Sequence, residues 1–437
     1  MKPHRALGTV ALVFVMFFNV SGGAFTTETL IVSVGPGLGL LLLILVPLFW
    51  SLPETLIIGE LASSLPEEGG YYKWVDRAFG KFWAFQNGWC TWMYSLVDMA
   101  IYPVLFNQYL SFFAPALSTG IRWLVSLAVI WGATAINLRG ASRVGLSSII
   151  AGAFVLGVFA MLSIAAVPHI NHLPWRPFSV PGQTTLGGIG VGMSIALWNY
   201  IGWDNPSTVE GEVIDASRSY PRALAITLPL VCLGYLVPLM ATAGASDWTK
   251  WKEGGWPDIA RMSAGVLGEP LAVLLAIAGM VSALALFNAL LMSYSRIPLV
   301  MAQDGFLPKA FGQTDARGTP RNAILFSAVF YSIFALVAFG RLVVADVLLY
   351  AFALFLEFGA LLMLRKKEPG LRGPFRIPAG FKTVCVLAAI PLFILVAVVA
   401  LELRDGEYGF PAVLAAIGAA LAGPIAYSFL VRPGSAA

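Results

Sequence analysis

Two acids stand where an apolar chain has no cheap place for them. Asp204 lies in the stretch 195–212, IALWNYIGWDNPSTVEGE, with Asn199, Gly202, Asn205 and Pro206 around it. Asp98 lies inside another apolar run, at 82–112. An ionised Asp at the centre of a membrane helix costs about 2.5–3.5 kcal/mol on insertion scales. Pro206 removes a backbone donor and Gly202 weakens the turn before it, so a helix should break there. A span broken at mid-depth is tolerated where its backbone lines a cavity rather than lipid. The chemistry expected is binding of a cation, a proton or both. Two plainer roles stay open. Asp204 could cap the second half of its span, and Asp98 could be a protonated hydrogen-bond partner of a neighbouring helix.

Other acids join them. Glu54 and Glu357 fall inside apolar runs, and Glu28 and Glu60 fall nearer the ends. Glu54 and Glu357 read as inter-helix hydrogen-bond partners, and Glu357 is also a proton-coupling candidate beside Asp98 and Asp204. Glu28 lies about 10 Å beyond Ser21 along a helix, at 1.5 Å per residue. It suits either vestibule electrostatics or the far amine of an elongated substrate. Glu60 suits a clamp to Arg77 or Arg139. Trp198, Trp203 and Tyr94 offer cation–π faces, and Phe287 and Asn288 are further lining candidates. His4, His169 and His172 lie in a terminus or a loop, and Cys90, Cys232 and Cys385 share no metal-ligand spacing. We therefore expect no catalytic residue, no metal, no cofactor and no disulfide.

The elements that position these residues follow from composition. Of 437 residues, 58% are hydrophobic and only 11% charged, with a mean hydropathy of +0.81. That is an all-α polytopic membrane protein. A net charge of +4 is too small to argue for nucleic acid. Apolar segments near 7–33, 38–62, 82–112, 119–138, 145–167, 186–212, 222–244, 270–297, 322–340, 344–364, 381–401 and 410–431 give twelve transmembrane helices. With the N-terminus inside, 20 of the 27 basic residues fall in cytoplasmic segments (Lys2 and Arg432 at the termini among them), and the rest, including Arg341 and Arg404, face outward. Both termini are thus expected in the cytoplasm of a multi-pass cell-membrane protein. None of the bases is expected at a mid-membrane position, so intramembrane charge would be wholly negative and need external cations or protons. The first 24 residues resemble a cleavable signal peptide, but apolar pattern resumes after them and favours a retained, interrupted span. The loop 245–268 should carry a short helix, 365–376 is a basic connection, and the tail 433–437 should be disordered.

An internal echo organises the twelve. Span one reads FFNVSGGAFTTE and span six LWNYIGWDNPSTVE, each with Asn and then Gly three residues on: Asn19 to Gly22, and Asn199 to Gly202. Five spans separate the breaks, so two five-helix halves would enter the bilayer with opposite orientation. Paired interrupted helices of this kind point to a transporter's binding site. The expected organisation is one domain over 1–437, with repeats at 7–167 and 186–364 and two added helices at 381–431.

Specific motifs accompany this pattern in order: Ser21-Gly22-Gly23, ELASSLPEEGGY from Glu60, NLRG from Asn137, LWNYIG from Leu197, Glu210-Gly211-Glu212, SYPRA from Ser219, DGFLP from Asp304, and Gly318-Thr319-Pro320. In them the chain resembles the amino acid–polyamine–organocation superfamily over nearly its whole length. SGGAF from Ser21 with Glu28, WSLPE from Trp50, and SLVDMAIYPVLF from Ser95 resemble its polyamine-uptake branch, related to plant polyamine transporters. The resemblance implies a LeuT-like five-plus-five inverted-repeat fold with broken helices one and six. Those helices would rock against a scaffold that includes spans three, four, eight and nine. In amino acid members the glycine-rich break of span one offers N–H groups to a substrate carboxylate. Here Gly22 and Gly23 remain, but the pattern is shortened to SGGAF. Trp198 matches an aromatic that stacks on substrate in arginine-exchanging relatives. Asp204 falls where those relatives carry an acid, and Asp98 where they carry a neutral amide. Span five lacks the Lys that replaces a sodium ion in some members.

The expected function is proton-coupled import of small organic cations, polyamines such as putrescine or spermidine first, by alternating access. Ser21, Gly22, Gly23, Glu28, Tyr94, Asp98, Trp198, Asn199, Trp203 and Asp204 are its substrate-site candidates. Its partners are a small-molecule substrate, protons and the lipid bilayer, and the sequence does not set an oligomeric state. The alternative within transport is an amino acid permease or exchanger. An intramembrane enzyme lacks a His partner or metal cluster in the spans, and a cation channel lacks a repeated filter motif.

Overall fold

The computed structural model describes residues 5–335, 343–405 and 409–430. Lys2, His4, Arg341, Arg432, the tail 433–437 and the side chain of Arg404 lie outside the described residues. Those described are helical, with a single isolated parallel bridge between Leu7 and Val213.

Span one is α1 (Thr9–Val20), a break, and α2 (Thr27–Val34). Gly35, at φ 88°, turns the chain into α3 (Pro36–Val46), which opens on Pro36, where a missing donor does no harm. Its continuation widens into a π segment, Pro47–Ser51, before α4 (Leu52–Ser64). Pro53 has no N–H to give the Phe49 carbonyl and crowds it, so the ladder slips a register there. Next come α5 (Tyr71–Phe79), α6 (Lys81–Leu110), α7 (Thr119–Asn137) and α8 (Ala141–Ala166). Ser118 caps α7 through the Ile121 N–H.

Span six is α9 (Thr185–Trp198), a break, and a 3₁₀ segment, Asn205–Glu212. The remaining helices are α10 (Ala216–Ala245), α11 (Trp256–Ser263), α12 (Gly268–Tyr294), α13 (Arg296–Gln303), α14 (Arg321–Phe334), α15 (Val343–Lys367), α16 (Phe381–Asp405) and α17 (Gly409–Leu430). The short helix expected in 245–268 is α11.

Helix α6 runs through the centre, against α12 on one side and α15 on the other. Around it α1 packs on α8, α10 and α12, while α9 packs on α2, α3 and α16. The two broken spans are tied at one end. Glu212 O accepts from the Ala6 and Leu7 N–H groups at 2.8 and 3.0 Å, and Leu7 O accepts from Ile214 N–H at 2.9 Å. The outer surface is apolar: Ile164 is 73% exposed, Phe393 75% and Phe429 82%. Large side chains left open on several helices belong to lipid rather than water. Among the described residues, eight helical stretches are long and apolar enough to cross a membrane.

Candidate functional site

The breaks of the two spans meet. α1 stops at Val20, and the chain continues through Gly22 and Gly23 at φ 70° and 104°. α9 stops at Trp198, and the chain continues through Gly202 at φ 100°. A Cβ on Gly202 would stand 2.5 Å from the Asn19 carbonyl oxygen, so glycine is what lets the two backbones touch. The open backbone groups find partners across the junction. Tyr235 Oη donates to Asn199 O at 2.8 Å, Ser282 Oγ donates to Gly22 O at 2.5 Å, and Gly202 N–H donates to Tyr350 Oη at 2.9 Å. Side chains follow suit: Thr26 Oγ1 donates to Asn199 Oδ1 at 2.9 Å and Ser293 Oγ to Asn19 Oδ1 at 3.0 Å. A break so satisfied can sit at membrane depth.

Beside this junction lies a cavity of about 40 Å³, room for about three waters at 10–15 Å³ each. Of the sequence candidates, Ser21, Tyr94, Asp98, Trp198 and Asn199 line it. Among the described residues, no Lys, Arg or His does. Asp98 is buried and held by two phenols: Tyr102 Oη donates to Oδ1 at 2.7 Å and Tyr294 Oη to Oδ2 at 2.8 Å. Tyr94 packs edge-on to Tyr294 and Tyr350 and donates to Asn205 Oδ1 at 3.0 Å.

The other candidates sit behind this wall. Asp204 is at the N-cap position of the 3₁₀ segment, yet its side chain makes no capping hydrogen bond there. It reaches Tyr350 Oη at 2.8 Å, and the same hydroxyl lies 2.6 Å from Glu54 Oε1. One hydroxyl proton cannot serve two carboxylates at once, so the second contact needs a proton from a carboxyl group. Trp203 is fully buried with Nε1 on Tyr200 O, in the core rather than the cavity. Glu357 accepts from Asn87 Nδ2 at 3.4 Å. Glu28 accepts from the Gly254 N–H at 2.8 Å, under the loop that leads into α11, and Trp256 Nε1 donates to Ala24 O nearby. Gly22 and Gly23 spend their N–H groups inside the break, on Phe17 O and Ser21 Oγ. Phe287 packs on Tyr331, and Asn288 bonds Asn137 and Ser147, away from the cavity.

The charged ends correct one expectation. Glu60 pairs with Arg365, not with Arg77 or Arg139, because α4 and α15 pack together and the 365–379 connection wraps the carboxylate. Arg365 Nε donates to Oε1 at 2.7 Å, and the Ile377 N–H donates to Oε2 at 2.8 Å. Arg77 bonds Glu368. A second buried ion pair lies at the end of α12. Arg296 is buried, pairs with Glu212, and has Glu68 at 3.7 Å. α12 turns at Ser295 directly into α13, which carries the guanidinium inward, where it needs both acids. Burial, then the Glu212 carboxylate, push Glu68 up to about 8 against the opposing pull of Arg296.

Comparison with known proteins decides the family. The amino acid permease family profile matches residues 7–422. The chain is an amino acid permease family member, within the amino acid–polyamine–organocation superfamily. Among the permease's relatives is the polyamine transporter RMV1 of Arabidopsis thaliana, 36% identical over 402 residues, 90% of this chain and 80% of the relative. A probable polyamine transporter of the same plant is 35% identical over 403 residues, 91% and 80%. The polyamine transporter PUT1 of Oryza sativa subsp. japonica is 34% identical over 398 residues, 90% and 73%. These relatives are transporters rather than enzymes.

The permease cavity also holds residues that sequence reading did not single out: Tyr102, Asn205, Tyr294, Asp346 and Tyr350. Asp346 sits two residues into the apolar run of 344–364, where an acid passes for the polar edge of a span. The tyrosines are indistinguishable, one by one, from packing residues.

Proposed function

We propose that this permease imports small organic cations, polyamines such as putrescine or spermidine first, driven by protons. The observation that carries the reading is the cavity at the junction of two broken helices, lined by carboxylates and aromatic rings and, among the described residues, by no base. A buried acid without a base needs a cation or a proton. Trp198 and the tyrosines offer faces to a methylene chain and its ammonium ends. RMV1 and PUT1, named as polyamine transporters, point the same way. Asp98, held by two donors, is suited to stay ionised and take an amine. Asp204 and Glu54 face one Tyr350 hydroxyl that can donate to only one of them, and are suited to take up and release the proton that the other contact needs, with Glu357 as a further acid on α15.

The architecture belongs to the same proposal. Eight stretches, the shorter apolar helices Thr9–Val20, Gly187–Trp198 and Arg321–Phe334, and α6 supply twelve spans. Two inverted repeats at 7–167 and 186–364, with two added helices at 381–431, would let spans one and six rock against the rest. The basic-residue bias puts both termini in the cytoplasm of a cell-membrane protein. An amino acid substrate is the second reading, drawn from the family. Its carboxylate would need the Gly22 and Gly23 N–H groups, and both are already bonded within the break. Uptake of labelled putrescine into proteoliposomes with an imposed inward pH gradient tests the proposal. Saturable, gradient-dependent uptake displaced by polyamines and not by amino acids is expected. Displacement by amino acids alone, or an ohmic current without saturation, overturns it.

A further inference from the structure

The cavity has a second carboxylate on its wall. Asp346, in the first turn of α15, is 1% exposed and lines the same space as Asp98. Among the described residues, its Oδ1 has no hydrogen-bond partner. The two acids arrive from different helices, α15 and α6, and lie within electrostatic range of each other. They differ in how they are held. Both oxygens of Asp98 receive a phenol proton, which fixes the group and leaves it lone pairs to spare. Among the described residues, Asp346 Oδ1 is buried and receives nothing, and none of those that line the cavity is Lys, Arg or His. An acceptor left bare in so small a space is costly unless the occupant supplies the donor.

We propose that Asp346 and Asp98 form a two-point subsite that selects a dication over a monocation. One ammonium of a linear diamine docks on Asp98 and the other on Asp346, with Trp198 and the Tyr94 ring flanking the methylenes. This rests on the organic-cation reading above and deepens it. A monoamine neutralises one acid and strands the other, so the second charge is what the cavity discriminates. With space for only about three waters, the aliphatic chain displaces them all and widens the cavity as it enters.

The test compares putrescine with butylamine, which has the same carbon chain and one charge, in proteoliposomes holding wild type, Asp346→Asn or Asp346→Glu. Each variant is first checked for monodispersity and thermal stability. Wild type is expected to prefer putrescine. In Asp346→Asn the putrescine KM should rise about 30-fold or more while that for butylamine stays within about threefold. Asp346→Glu, which keeps the charge and reaches further into the cavity, folds as a charged control and should shift the preference toward a shorter diamine. An unchanged putrescine-to-butylamine ratio in both variants overturns the subsite. So does loss of gradient-driven accumulation for both amines alike, which makes Asp346 a proton carrier. If wild type takes up neither amine, the organic-cation reading itself fails, a result separate from either of these.

Discussion

Tyr350 ties three buried polar groups together at one hydroxyl. Its hydroxyl accepts from Gly202 N–H and lies against Glu54 and Asp204, so it joins the break in span six to helices α4 and α15. Removing it with Tyr350→Phe strands a backbone donor and takes from two carboxylates the hydroxyl that lies between them. Each buried group left unsatisfied costs about 1–3 kcal/mol, so a drop in thermal stability of several degrees is expected in a detergent melt. Gradient-driven uptake should fall with it. Asp204→Asn separates charge from hydrogen bonding: the amide keeps a contact to Tyr350 but cannot ionise. If proton coupling runs through this group, the variant still exchanges substrate but no longer accumulates it against a pH gradient. Accumulation at the wild-type level would remove Asp204 from the coupling step. Asp98 and Asp204 were legible in the sequence because an ionisable group amid apolar residues announces itself. Tyr350 was not, because a tyrosine in a membrane helix has many bland uses. Its meaning comes from two acids 296 and 146 residues away in sequence.

At the scale of elements, the breaks were the legible part. Asn followed three residues later by Gly, twice, located both interruptions, since glycine and a short polar side chain are what an open backbone requires. Partners across the fold were not legible. Glu60 meets Arg365 only because α4 and α15 pack, and nothing local to either residue prefers that pairing to Arg77. The Arg296 cluster at the turn between α12 and α13 has the same character, and it carries a pH signature. Glu68, on the connection between α4 and α5, is pushed up to about 8 from an ordinary 4.5, by burial first and Glu212 second. The native state then holds a proton there that the unfolded chain has released. Between those values folding takes up a proton, so this group makes stability fall as pH rises from about 4.5 to 8, and adds no slope above. Melts from pH 5 to 9 should show that fall in wild type, and Glu68→Gln should flatten it. A parallel decline in both proteins would place the proton elsewhere.

For the molecule as a whole, the sequence announced the lipid-facing shell more clearly than the interior. Helices α8, α10, α16 and α17 are apolar enough to read as spans at once and expose large side chains on their outer faces. The central helix α6 is long enough to span but too polar to meet the same criterion, because it buries Gln86, Asn87, Asp98 and Asn107. The helix that carries Tyr94, Asp98 and Tyr102 into the site is thus more polar than those that face lipid. Mutual dependence of distant parts also sets the last prediction. The Glu60–Arg365 pair is almost fully buried and joins one end of α4 to the connection that leads to α16. Breaking such a pair from one side leaves an uncompensated charge and costs about 3–5 kcal/mol, whereas replacing both partners costs far less. Arg365→Met alone should therefore lower the melting temperature and putrescine uptake sharply, and Glu60→Gln added to it should recover much of the stability. Recovery of stability without uptake would mean that the pair also holds this end of the transporter closed during the cycle. Recovery of both would make it a structural clamp alone. A double variant as unstable as the single one would show that Glu60 matters through its bond from Ile377 N–H, and not through the ion pair.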